Sequence, residues 1–280
     1  MINLDLIHRI ELEILTKVDQ VNSKNHLTYV LTGGSAIGAA RHHGFIPWDD
    51  DIDIGLTRTD FEKFLRIAPH KLNHSGYFVE ENRLDPKYEY DFAKVMAAGT
   101  HIIEHGREST KARNGIFIDV FPFDRMPKQA SEQQQQKIAL TEILTEIRQR
   151  LYPNAEPQQL FQSKYADMSL NELYETRLSV MTKYDGHHNL PFINMSSPYE
   201  YGQELIEPWE FHHIIRMKFE NLLVPILADY NGYLTRLYGN YMKLPPLEKR
   251  IQRHVLEVKV DNYQLGTQNE LRNNWEQAAS

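Results

Sequence analysis

IPWDDDIDIGL, residues 46–56, sets Asp49, Asp50, Asp51 and Asp53 inside an otherwise apolar run. Side chains alternate along a strand, so Asp51 and Asp53 are expected on one face, with Ile52 and Ile54 on the other. Carboxylates sharing a face repel, and a buried one without a partner is costly. Either the stretch is an acidic strand end in water, or something positive neutralises it: a basic side chain, or a divalent cation held through oxygen. Asp50 points away if the strand has already begun. Pro47 and Trp48 leave the direction of Asp49 open.

Upstream, a short strand at 27–31 runs into TGGS, 32–35. Gly33 and Gly34 permit a tight turn and close approach of a phosphate, which Ser35 and nearby amides would contact. The segment is neither GxxxxGK[ST] nor GxGxxG. Downstream, IFIDVF places Asp119 in an apolar strand. Asp119 either pairs with Lys94 or Arg113, or completes a three-carboxylate site with Asp51 and Asp53. A glycine turn, an Asp-x-Asp strand and a distant third acid are what a nucleotidyltransferase-like site requires, and paired acids holding magnesium would orient phosphate oxygens. Asp51, Asp53 and Asp119 are therefore the candidate catalytic and metal-binding residues, Asp119 as third ligand or as base.

Arg41 and Lys94 are candidate phosphate contacts. Arg250 and His254, four residues apart, either share a helical face toward an anionic group or belong to a solvated cap. The histidine pairs at 42–43, 187–188 and 212–213 lack ligand spacing, so zinc is not assigned.

The rest of the chain reads as α+β, a mixed sheet flanked by helices with an added helical C-terminal region. Helices are expected at 4–22, at 60–68 behind a Thr59/Glu62 capping box, at 131–151, at 170–184, and near 218–238 and 246–258. Further strands are expected at 77–80, 90–96 and 115–124, their separators suiting a mixed or antiparallel sheet. YPNAEP, 152–157, reads as a loop dividing a catalytic core, 1–151, from a mainly helical remainder, 152–280, that completes a pocket without folding independently.

Composition narrows the function classes. With 31 basic and 38 acidic residues the net charge is −7, which argues against broad binding of nucleic acid. The absence of cysteine excludes disulfides, thiolate zinc sites and cysteine nucleophiles, and fits a cytoplasmic setting. No window approaches a membrane span, and Asp5, Glu11 and Glu13 interrupt the apolar run a signal peptide would need. Fifteen tyrosines, 12 phenylalanines and 3 tryptophans supply material for a pocket around a cationic ligand.

TGGSAIGAARHHGFIPWDDDIDIGLTRTDFEKFL, 32–65, closely resembles the signature of the LicD family, and the likeness continues at FAKV (92–95), GIFIDVFPFDRMP (115–127) and YGNYMKLPPLEKRIQRH (238–254). The resemblance implies a nucleotidyltransferase fold with added helices, glycine-turn positions at Gly33, Gly34 and Ser35, metal-binding acids at Asp51 and Asp53, and a third acid at Asp119. It implies transfer of phosphocholine from CDP-choline to a sugar hydroxyl of a cell-surface glycan or glycolipid precursor, such as lipopolysaccharide or teichoic acid, with release of CMP. Magnesium, or manganese in its place, is the expected metal. A CDP-ribitol or other CDP-polyol transferase is the nearest alternative, and a non-catalytic nucleotide-binding protein the more distant one. The expected location is cytoplasmic, with transient contact at the inner membrane face.

Overall fold

The computed structural model describes residues 2–153, 163–261 and 263; most of the junction expected at 152–157 lies outside them. Helix α1, Leu4–Lys24, buries Ile7, Ile10, Ile14, Leu15 and Val18, and Asn3 caps it by accepting from the Leu6 N–H. It packs on the sheet beside α3, Arg58–Leu72. Helix α3 begins earlier than expected. Its cap is Thr57, whose hydroxyl accepts from the Asp60 N–H, and not Thr59.

The central sheet is mixed. Strands β1 (Tyr29–Leu31), β2 (Asp53–Thr57), β6 (Phe117–Arg125), β4 (Ala93–Ala97) and β3 (Tyr77–Glu80) lie side by side in that order. Among the described residues only β2 and β6 pair in parallel. Past β4, β6 pairs with β7 (Phe192–Asn194), which pairs in turn with β8 (Leu205–Ile206), so the sheet has seven strands. Pro122 has no N–H to donate. It falls between the β4 register, which ends at Val120, and the β7 register, which starts at Phe123, where its missing donor breaks no ladder on that side. The core is one layer of Val, Ile, Leu and Phe between this sheet and its helices, with a satellite cluster of Ile143, Ile147, Leu173 and Tyr174 where α4 (Ala130–Leu151) meets α5 (Leu170–Thr182).

The structure corrects two helical expectations. The stretch near 218–238 begins as a hairpin, β9 (Ile214–Phe219) and β10 (Leu222–Leu227), and only Tyr230–Tyr238 is helix, α6. Glu220, with φ of +53°, makes the turn, and Pro225 excludes a helix across β10. At 246–258 a single 3-10 turn, Leu247–Lys249, precedes β11, Val255–Val260, paired antiparallel with β5, Thr100–Glu104. VLEVKV alternates apolar and polar residues and is rich in valine, the pattern of a half-buried strand. Among the described residues no helix is long and apolar enough to cross a membrane.

Candidate active site

Three adjacent strands put Lys94, Asp119 and Asp53 in one row. Asp53 on β2 faces Asp119 on β6, and Asp119 faces Lys94 on β4. Cross-strand partners project to the same face. Asp51 joins them from the loop before β2. The strand starts at Asp53, so strand alternation does not set the direction of Asp51, as the sequence had suggested. Instead, Ile52 is buried, and its carbonyl accepts from the Asp119 N–H at 2.8 Å, which locks the loop to β6.

The glycine turn, which opens helix α2 (Gly33–Ile37), closes over this row. Gly33 has φ of +54°, and a Cβ there would stand 3.0 Å from Asp53 Oδ2; a Cβ on Gly34 would stand 2.6 Å from Asp49 Oδ2. Side chains at 33 and 34 would press into the carboxylates. The Ser35 hydroxyl accepts from the Asp53 N–H at 2.8 Å, so it holds the start of β2, away from the cavity.

Asp49, Asp51, Asp53 and Asp119 open onto a cavity of about 830 Å³, large enough for a nucleotide-sized ligand. Burial, then the charge of Asp49, pushes Asp51 up to about 7. Asp119 also rises to about 7, chiefly through burial, with Lys94 opposing. Asp53 is pushed up by burial, then by Asp51 and Asp119. Lys94 is too little to balance this charge: its ammonium stands 3.0 Å from Asp119 Oδ1 and 3.1 Å from Glu104. Beyond that ion contact, Asp119 Oδ1 is buried without a hydrogen bond. Hard oxygen donors and mutual repulsion, with one shared lysine to offset them, fit a divalent cation.

Asp50, Asp51 and His254 also bring three ligating atoms within 4.8 Å of one another. Asp50, however, is already taken. It accepts from the backbone N–H groups of His254 and Val255 at 3.1 and 3.0 Å, from Gln252, and from His254 Nδ1 at 2.8 Å. The Asp50 hydrogen bond is the main cause that lifts His254 to about 9, and it engages the ring's Nδ1. Asp50 and His254 therefore form a clamp that ties the start of β11 to the acidic loop, while Asp51 faces the cavity.

The expected basic residues are placed differently. Arg41 donates to the Tyr241 carbonyl and is not part of the cavity wall. Lys94 is committed to Glu104 and Asp119. Arg250 and His254 do not share a helix: Arg250 donates to the Pro245 carbonyl and stands 5.7 Å from the Trp48 ring. Arg113, an alternative partner for Asp119, pairs with Glu80. The cations on the cavity wall are Arg107, Arg148, Lys249 and Arg253, along with His254.

Two features escaped the sequence. Glu204, buried behind Gly33, accepts from Tyr233 at 3.1 Å, and the Tyr233 hydroxyl accepts from the Gly33 N–H at 3.3 Å. An aromatic wall runs from Tyr90 and Phe92, stacked at 4.9 Å, to Phe121, and across the cavity Tyr199 and Tyr238 share a hydrogen bond of 2.7 Å. Phe92, Phe121 and Tyr238 lie in the stretches that carry the family likeness, but nothing local marks Tyr90, Tyr199, Glu204 or Tyr233.

The family model of the LicD/FKTN/FKRP nucleotidyltransferase domain matches residues 26–151, which contain the whole carboxylate row. Residues 26–151 are thus similar to a LicD domain. The similarity runs further than that domain. Lipopolysaccharide cholinephosphotransferase LicD of Haemophilus influenzae is 29% identical over 263 residues, 89% of this chain and 95% of that protein. Human ribitol 5-phosphate transferase FKRP is 30% identical over 97 residues, 34% of this chain and 16% of that protein. The relatives of the LicD domain with named activities are thus phosphotransferases that differ in the group transferred.

Proposed function

We propose that the protein is a metal-dependent phosphotransferase that moves phosphocholine from CDP-choline to a sugar hydroxyl of a cell-surface glycan precursor, of lipopolysaccharide or teichoic acid type, releasing CMP. The observation that carries this reading is the row of Asp53 and Asp119 with Asp51 beside it, undercompensated in charge and open to a nucleotide-sized cavity. The near full-length likeness to a cholinephosphotransferase supports the choice of donor.

Asp51, Asp53 and Asp119 would hold magnesium, or manganese in its place. The cation supplies positive charge to the phosphate oxygens of the donor. Gly33 and Gly34 keep that corner open for the phosphates, while Arg107, Arg148, Lys249 and Arg253 draw the anionic donor into the cavity. Lys94 holds the Asp119 carboxylate in place. The aromatic wall of Tyr90, Phe92 and Phe121 gives the methyl groups of a quaternary ammonium an apolar surface. The acceptor hydroxyl attacks the phosphorus bearing choline, its proton passes to a carboxylate of the cavity, and CMP departs. Positioning and charge stabilisation account for most of the acceleration in such transfers.

A CDP-ribitol donor is the second reading, supported by the segment shared with FKRP and by the Tyr199–Tyr238 hydroxyl pair, which suits a polyol. Incubating purified protein and magnesium with CDP-choline, CDP-ribitol and a set of glycan acceptors, and recording CMP release and the mass added, separates the two. A gain of phosphocholine is expected. A gain of ribitol phosphate alone would replace the choline reading, and donor binding without turnover would make the protein a nucleotide-binding module.

A further inference from the structure

MKLPPLEKRIQR, residues 242–253, concentrates Lys243, Lys249, Arg250 and Arg253 against Glu248 alone, in a chain whose net charge is −7. Interleaved with these cations, Met242, Leu244, Leu247 and Ile251 are exposed, Leu247 to 76% and Met242 and Ile251 to 55% and 56%. Burying large apolar side chains is favourable, so something must keep them out of the core. Pro245 and Pro246 exclude a helix that could fold an apolar side inward. Both ends of the segment are fastened: Tyr241 is buried before it, and Asp50 holds Gln252, His254 and Val255 after it. Arg250 is drawn back by Pro245 and Trp48. Lys243, Lys249 and Arg253 are exposed, and no ion pair engages them among the described residues.

Lysine is depleted from the core of protein–protein interfaces. Exposed leucine, isoleucine and methionine interleaved with lysine and arginine suit an anionic lipid surface, where the apolar tips enter the headgroup region and the cations meet phosphate. The segment also borders the active site, because Pro245, Lys249, Ile251 and Arg253 line the cavity.

We propose that residues 242–253 dock the protein on an anionic phospholipid bilayer, with the mouth of the cavity turned toward the headgroups. An acceptor sugar anchored in that bilayer then reaches the cavity. The presentation of a lipid-anchored acceptor rests on the transferase reading above; the docking itself does not.

Sedimentation of the full chain with vesicles tests it, using phosphatidylcholine alone and phosphatidylcholine with phosphatidylglycerol, in about 0.1 M salt. The protein is expected to pellet with the anionic vesicles and to be released as salt rises. Met242→Ser with Leu247→Ser should weaken binding about tenfold, and Lys243→Gln about fivefold. Ile138→Ser, which removes an exposed apolar side chain on α4, should change nothing. The double variant should keep transfer to a water-soluble acceptor and lose transfer to a vesicle-anchored one. Equal partition onto neutral and anionic vesicles, full binding by the double variant, or a change only in self-association mass would overturn the proposal. Vesicle binding without transfer from any donor would overturn the transferase reading alone.

Discussion

Strand β6 carries two buried aspartates that solve the same electrostatic problem in opposite ways. Asp124, fully buried, meets the Arg58 guanidinium through two hydrogen bonds of 2.7 Å, and Arg58 also reaches Glu62. Nearby, Arg177 closes on Asp91 through one guanidinium nitrogen and donates to the Leu140 carbonyl through another. Asp119, among the described residues, has Lys94 alone as its cation, shared with Glu104, and stands beside Asp53 and Asp51. A bidentate arginine completes a carboxylate, whereas clustered carboxylates around one shared lysine leave charge for a ligand to complete. The first arrangement builds the fold, and the second prepares the site at some cost to it.

Breaking each side should give opposite phenotypes. Asp53→Asn is expected to lower transfer about a thousandfold or more, by removing a ligand oxygen and its charge, with no loss of stability in the metal-free protein. Initial rates and thermal melts check both halves. Arg58→Met should do the reverse, stranding Asp124 and costing about 3–5 kcal/mol in denaturant unfolding. A stable Arg58→Met protein would show that the Asp124 pair is dispensable.

The pH dependence sharpens the contrast. Asp51 and Asp119, raised to about 7 in the folded chain, bind more protons there than in the unfolded chain. In the metal-free protein their contribution to stability is therefore greatest below about 4, falls as pH rises through 4 to 7, and is lost above 7. Asp51→Asn should flatten that decline in melts taken across the range, and added magnesium should offset it. Glu62, held down by Arg83 and Arg58 against burial, works the other way: its stabilisation is present above its ordinary range and is lost as pH falls through its lowered value.

Gly33→Ala is a smaller break. It meets a positive φ and the Asp53 carboxylate together, and should cost about 1–3 kcal/mol and reduce transfer. Asp50→Asn should be milder still in chemistry. It loosens the clamp on His254 and Val255, so KM for the donor rises more than kcat falls.

The two sides were unequally legible in the sequence. Asp51, Asp53 and Asp119 stand out because charge inside apolar strands demands a partner, and the glycine turn adjoins them. The sheet's mixed character followed from the spacing of its strands. Asp50 read only as pointing away from the acidic pair, because its partners lie some 204 positions away, where no local pattern points. Glu204 and Tyr233 were hidden in a like way, Tyr233 lying 200 positions from the glycine turn it holds. MKFENLLVPIL tolerates both helical and strand periods, and only Pro225 and the Glu220 turn decide it. Arg41 and Arg250 were natural choices for phosphate by chemistry alone, but carbonyls of the C-terminal segment engage both.

Manganese binding, counted by electron paramagnetic resonance on protein stripped of metal, tests most directly whether the Asp119 side of β6 is a cation site. Wild-type protein and Arg58→Lys, which keeps a cation beside Asp124, should bind manganese alike, and Asp53→Asn should bind it at least tenfold more weakly. Unchanged affinity in Asp53→Asn would contradict the account.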